Sequence, residues 1–251
     1  KFFAEHGRLL SFGFFITLAS SFGQTFFISI FGPEIQKEFA LSHTIWGTIY
    51  LIGTLMSASV LTFSGTLIDH FKLRNFTSVV LLLLAFACIF ISFVNNIIFL
   101  VIAIFFLRQS GQGLTSHISV TTMARYFKNR RGAAVALASM GMAAGETFLP
   151  LIAVILISII GWRWTYFYSF FLIILFFLPL SIYLLRGHEK KYELTKEEDE
   201  SFEKKSWTRN QVIKDFKFYM LLPALLAPGI IMTALFFHHL NIADHKEWSH
   251  I

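Results

Sequence analysis

The sequence predicts an all-α protein that crosses a lipid bilayer several times, and three observations carry that prediction. Hydrophobic residues make up 55% of the 251 and charged residues only 14%, where a soluble domain usually carries about 25% charged. The apolar residues gather into seven runs, each near the roughly 20 residues that a helix needs to cross hydrocarbon. The Lys and Arg residues fall in the polar breaks between those runs, which is the pattern of loops beside a membrane. One soluble core cannot enclose so much apolar surface, so part of the solvent is lipid. The formal charge of +6 therefore reads as a topology signal and not as a nucleic-acid surface. Cys88, the single cysteine, sits inside an apolar run as a small buried hydrophobe and excludes an internal disulfide framework.

The predicted spans are 9–31, 45–63, 76–94, 97–123, 133–160, 164–185 and 218–240. The fourth and fifth are longer than a crossing requires, which predicts tilt or ends that project into water. Of the 21 Lys and Arg residues, 17 lie on the side of the N-terminus and three (Lys37, Arg163, Lys246) on the other, with Arg108 alone inside a span. Because cytoplasmic loops are enriched in Lys and Arg, the N-terminus is expected in the cytoplasm. The bias survives omission of the long loop after the sixth span, at 8 to 3. That loop carries the acidic run Glu197-Glu-Asp-Glu200 flanked by lysines and reads as a solvated linker. Thr208-Arg-Asn-Gln211 has capping-box spacing and opens an amphipathic turn into the seventh span. The expected organisation is a six-helix transmembrane bundle over 1–186, a cytoplasmic linker over 187–217, and a seventh span with its C-terminal extension over 218–251.

This order of six spans, a long cytoplasmic loop and a further span resembles the major facilitator superfamily, whose carriers join two six-helix halves in that way. Gly65-Thr-Leu-Ile-Asp69-His-Phe-Lys-Leu-Arg74 is similar to the family's signature turn between the second and third helices. Gly65, Leu67, Asp69 and Arg74 match it; His70 stands where an Arg is usual and Lys72 where a Gly is usual. The resemblance implies conformational gating by Gly65, Asp69 and Arg74, with the carboxylate meeting a helix N-terminus or a basic partner. Ala124-Arg-Tyr-Phe127 and Arg130-Arg-Gly-Ala133 resemble the family's loop between helices four and five. Gly141-x-x-x-Gly145, Pro150 and Gly161-Trp-Arg163 follow in order. Phe22-Gly-Gln-Thr25, Gly111-Gln-Gly113 and Ser116-His117 resemble bacterial members near the monocarboxylate and oxalate/formate branches. The resemblance implies a secondary active transporter of the bacterial inner membrane, moving a small solute by alternating access with protons, and needing no cofactor. It also implies twelve helices, so a C-terminal half beyond this chain is the expected partner.

Polar residues inside spans are costly in lipid and mark function by default. The third and sixth spans hold no charge and are expected to face lipid, as three-helix repeats would place them. At 100° per residue Arg108, Gln112, Thr115, Ser119 and Thr122 share one stripe of the fourth span, with Gln109, Gly113 and His117 beside it. Such a helix faces protein or a water-filled cavity, and the first span offers Gln24 and Thr25 to it. The candidate substrate-binding or coupling residues are Arg108, Gln112, Glu146, Gln24 and His117. Arg108 can hold a carboxylate through its planar fork, so an organic anion is the favoured substrate. Glu146 can carry a proton, and either an Arg108–Glu146 ion pair or direct work on substrate is open. His117 is expected to tie helices together more than to relay protons. Gly141 and Gly145 are expected to pack on Gly53 and Ser57 of the second span.

A seven-helix receptor would place the N-terminus outside, against the charge count, and a retinal protein needs a lysine that 223–237 lacks. A membrane enzyme needs a ligand or nucleophile cluster; His238-His239 with Asp244 and His245 is the nearest and matches no zinc spacing.

Overall fold

A computed structural model describes residues 2–187 and 209–246, and among the described residues the chain is helical, without a strand. Seven spans result when the first, bent pair counts as one. Span α1 is His6–Gly23 continued by Thr25–Glu38 across a 43° bend. The others are α2 (His43–Asp69), α3 (Leu73–Ser92), α4 (Ile97–Tyr126), α5 (Lys128–Ile160), α6 (Trp162–Leu185) and α7 (Phe216–His238). This is an all-α, multi-pass membrane protein. The acidic run 197–200 and Thr208 lie outside the described residues, as do the side chains of His239, Asp244 and His245. Of the linker's far end, Arg209–Lys214 forms a short helix ahead of α7.

Local chemistry sets the boundaries. The Ser42 hydroxyl accepts from the Ile45 amide at 3.2 Å and the Asn96 side chain from the Phe99 amide at 3.0 Å, so α2 and α4 begin on capped turns. Between α5 and α6 the chain reverses at Gly161, whose φ of +80° lies in the left-handed region that favours glycine. At 30 and 33 residues and about 1.5 Å of rise each, α4 and α5 exceed the roughly 30 Å of hydrocarbon, as their sequences predict.

The bend in α1 is the first departure from expectation. Instead of one helix over 9–31, the chain unwinds at Gln24 (φ −82°, ψ 154°) and then stays helical to Glu38. The reason is the crossing of α4, which meets α1 at backbone distance: a Cβ on Gly111 would stand 2.6 Å from Gly23 Cα. The second departure concerns Gly141 and Gly145. They pack on Phe14 and Ser21 of α1, not on α2. Gly53 faces Ile104 of α4 instead, and the Ser57 hydroxyl donates to Gln109 Oε1 at 3.0 Å. Small residues are enriched wherever membrane helices approach closely, so such spacing marks a close contact without naming the partner.

Spans α3 and α6, whose charged residues Arg74 and Arg163 lie only in their first turns, pack together through inner faces and expose Val79, Leu82 and Phe86 on one and Tyr168 and Leu175 on the other. One apolar face of each is thus turned outward. Span α7 lies against α1 and α2 through rings: Phe236 on Phe26 at 6.0 Å, and Phe237 on Trp46 at 6.0 Å and on Tyr50 at 4.6 Å. At the end opposite the N-terminus, Arg163 Nε and Nη2 donate to Glu38 Oε1 at 2.9 and 2.6 Å, and Trp162 Nε1 donates to Oε2 at 2.6 Å. Arg163 also donates to the carbonyls of Ser92 and Val94 at 2.8 and 2.6 Å, which joins the ends of α1, α3 and α6.

Candidate functional site

The site is built where α1 and α4 cross. From Arg108 to Thr115 α4 widens into a π-helix, a form that is rare and frequent at functional sites. Its sequence, Arg-Gln-Ser-Gly-Gln-Gly-Leu-Thr, brings two glycines that free the turn, and Thr115 Oγ1 donates to the Ser110 carbonyl at 2.5 Å. Opposite it, the break at Gln24 leaves the Gly23 carbonyl without a regular helical partner. Arg108 Nη1 donates to that carbonyl at 3.4 Å and to Thr25 Oγ1 at 3.1 Å. The guanidinium lies over the Tyr50 ring, 5.3 Å from its centroid, and the Tyr50 hydroxyl hydrogen-bonds Thr25 Oγ1 at 2.7 Å. Arg108 is 5% exposed, and its Nε has no hydrogen-bond partner among the described residues.

Glu146 does not join this cluster. It is half-buried on α5, with no ion-pair or hydrogen-bond partner among the described residues, and the permanent Arg108–Glu146 pair is absent from this conformation. Arg108 reaches forward to the broken turn of α1, whose glycine crossing brings a carbonyl and a hydroxyl nearer than the carboxylate on α5.

Gln112 points elsewhere. It lines a cavity of about 580 Å³ between α2, α4 and α7, together with Tyr50 and Thr54, and Gln112 Oε1 and Thr54 Oγ1 are buried without partners among the described residues. The stripe expected at 100° per residue is therefore divided by the π turn. Arg108 faces α1 and Tyr50, Gln112 faces the cavity, and Ser119 donates to the Gly13 carbonyl of α1 at 2.8 Å. Gln24 Nε2 reaches Ser116 Oγ at 3.4 Å, a weak link between the same two spans.

His117 acts at the other end of α4. Its Nε2 lies 3.1 Å from the Gly65 carbonyl, which accepts, and Thr121 Oγ1 stands 3.4 Å from Nδ1. Just beyond, Asp69 Oδ1 meets Arg125 Nη1 at 2.5 Å. The turn 65–69 is thus held to α4 twice, by His117 at Gly65 and by Arg125 at Asp69, while Arg74 sits in the first turn of α3. Both Asp69 and Arg125 are about a third exposed, so the pair contributes at most about 1 kcal/mol to stability. Asp69→Asn is accordingly expected to insert and fold normally while cutting transport by the full-length protein several-fold. Unchanged turnover at normal surface expression would leave Asp69 an ordinary loop acid.

Sequence reasoning missed Tyr50. Its signal is a stripe of small and polar residues on α2 (Tyr50, Gly53, Ser57 and Ser64), the face that α4 covers. Gln109 completes that face, donating to Ser64 Oγ at 2.7 Å.

Among the described residues no group of His, Cys, Asp and Glu is placed to hold a metal ion. The chain is 33% identical to human (Homo sapiens) Monocarboxylate transporter 6 over 141 residues, 55% of this chain and 28% of that one. It is 28% identical to the mouse (Mus musculus) protein of the same name over 150 residues, 59% of this chain and 32% of that one. The matched stretch thus spans about a third of the length of these relatives. The description Major Facilitator Superfamily matches residues 13–250, nearly the whole chain. The relationship points to transport and away from the membrane-enzyme reading. The chain belongs to the major facilitator superfamily of membrane transporters.

Proposed function

We propose that the full-length protein is a secondary active transporter for a small organic anion, coupled to protons and working by alternating access. The observation that carries this reading is Arg108, a cation buried in mid-span with no anion beside it among the described residues. A buried charge without a counter-ion is costly, and a carboxylate arriving as cargo would complete it bidentately. The relatives' printed name, Monocarboxylate transporter, agrees with a carboxylate cargo. Glu146, half-buried and without a partner among the described residues, is the proton carrier in this scheme, and Gly65, Asp69 and Arg74 form the gating turn. The linker 187–217 and the N-terminus lie in the cytoplasm, and the membrane is the bacterial inner membrane. Uptake by the full-length protein in proteoliposomes, screened across carboxylates, is expected to be saturable and accelerated by an inward proton gradient. Uptake of neutral sugars but of no carboxylate would overturn the reading. For topology, cysteines at Ser42 and Ser201 in a variant lacking Cys88 are tested with an impermeant maleimide on intact cells. Position 42 is expected to label and 201 to be protected; the reverse result would invert the orientation.

A further inference from the structure

The cavity between α2, α4 and α7 has a chemistry of its own. Its walls are Leu51, Leu225, Ile230, the faces of Tyr50 and Phe237, and the polar atoms of Thr54 and Gln112. None of the lining side chains among the described residues is a carboxylate, an ammonium or a guanidinium, and His238 stands among them on α7. Its volume of about 580 Å³ lies within the range that takes a drug-sized molecule, about 300–1,000 Å³. Tyr50 is the wall shared with the arginine: one face of the ring meets Phe237 at 4.6 Å and Arg108 lies over it at 5.3 Å. A ligand with its acid at Arg108 would therefore pass Tyr50 and leave its remaining carbons in an open groove of aliphatic and aromatic side chains, where Leu51, Leu225 and Ile230 are exposed.

We propose that this cavity is an apolar subsite that selects carboxylates bearing an aryl or similarly bulky apolar body over short ones, with Tyr50, Phe237 and Gly229 determining that specificity. The proposal rests on the reading of Arg108 as the anion site for its head group, but the subsite itself is a separate claim. Thr54 and Gln112 add two polar atoms to the cavity wall, both buried and without partners among the described residues. Gly229 decides how much room there is: it lines the cavity, and a Cβ added there meets no heavy atom of the described residues within 4 Å. A larger side chain at 229 can therefore occupy the groove without striking any described residue. Leucine is also the better helix former, so folding is not put at risk.

The experiment compares phenylacetate with acetate, and phenylacetate with its neutral analogue 2-phenylethanol, on the full-length protein in lipid nanodiscs and proteoliposomes. In the parent protein phenylacetate is expected to compete for uptake at least tenfold better than acetate. Gly229→Leu should weaken phenylacetate tenfold or more and leave acetate within about twofold, while Phe237→Ala should narrow the preference without abolishing acetate uptake. Equal loss of both acids in Gly229→Leu, or no change in either, overturns the subsite. Equilibrium binding of radiolabelled 2-phenylethanol separates the two readings. If neither acid is taken up, yet 2-phenylethanol binds saturably and Gly229→Leu removes that binding, the anion reading fails and the apolar subsite stands. If 2-phenylethanol and phenylacetate both fail to bind, the subsite falls whatever the fate of acetate.

Discussion

Arg108→Lys in the full-length protein is expected to lower carboxylate uptake at least tenfold while leaving membrane insertion near normal. Lysine retains the charge, so the electrostatic attraction to an anion persists. It loses the planar fork, which serves the Gly23 carbonyl and Thr25 Oγ1 and, in the proposed scheme, the incoming acid as well. Arg108→Ala should be worse, because the bend of α1 then keeps a free carbonyl in a dry crossing, at a cost of about 1–3 kcal/mol. Glu146→Gln imitates the protonated acid and is expected to retain exchange of substrate while losing acceleration by a proton gradient. Because Glu146 does not touch Arg108 in this conformation, the two substitutions should combine independently. Rescue of Arg108→Gln by Glu146→Gln would reveal an ion pair in another conformation and assign both residues a structural role. Gradient-driven uptake that persists undiminished in Glu146→Gln removes that residue from the coupling step.

The second large effect is expected at the crossing of α1 and α4. In Gly111→Ala the new methyl would stand 2.6 Å from Gly23 Cα and 2.7 Å from Gly23 N. Backbone cannot rotate away as a side chain can, so the two spans must separate. Overpacking typically costs about 1–3 kcal/mol, and here the displacement also draws Arg108 away from Thr25. The expected outcome is a lower midpoint in thermal unfolding of the detergent-solubilised protein and loss of uptake even in the fraction that inserts. Gly132→Ala serves as the control, since a Cβ there meets nothing within 4 Å among the described residues. Equal behaviour of the two variants would mean that the crossing is looser than these distances imply.

Seven spans, their order and their approximate ends were legible in the sequence because hydrocarbon leaves a chain few choices. Backbone groups must be satisfied within the span, so a long apolar run is a helix. The breaks fall where the caps Ser42 and Asn96 and the left-handed Gly161 sit. The family was legible too, from Gly65, Asp69 and Arg74 and the loop after α4, since those residues act through local turns. Of the site, Arg108, Gln112, Gln24 and His117 were marked by being polar where lipid forbids it, whatever their neighbours. The neighbours were decided only in three dimensions. Helical arithmetic at 100° per residue put Arg108 and Gln112 on one stripe, and the π turn sent one toward α1 and the other into the cavity. Small-residue spacing found Gly141 and Gly145 and assigned them to the wrong span, because a glycine registers how near another backbone comes and not which one. Tyr50 carries no charge to mark it in an apolar run, and its place beneath Arg108 depends on α2, α4 and α7 meeting there. The sequence by itself determined the membrane, the helices and the polar groups they carry. Their pairing was left to the tertiary structure, because a contact between side chains on different spans is set by crossing angle and helix winding, and neither is a local property of the chain.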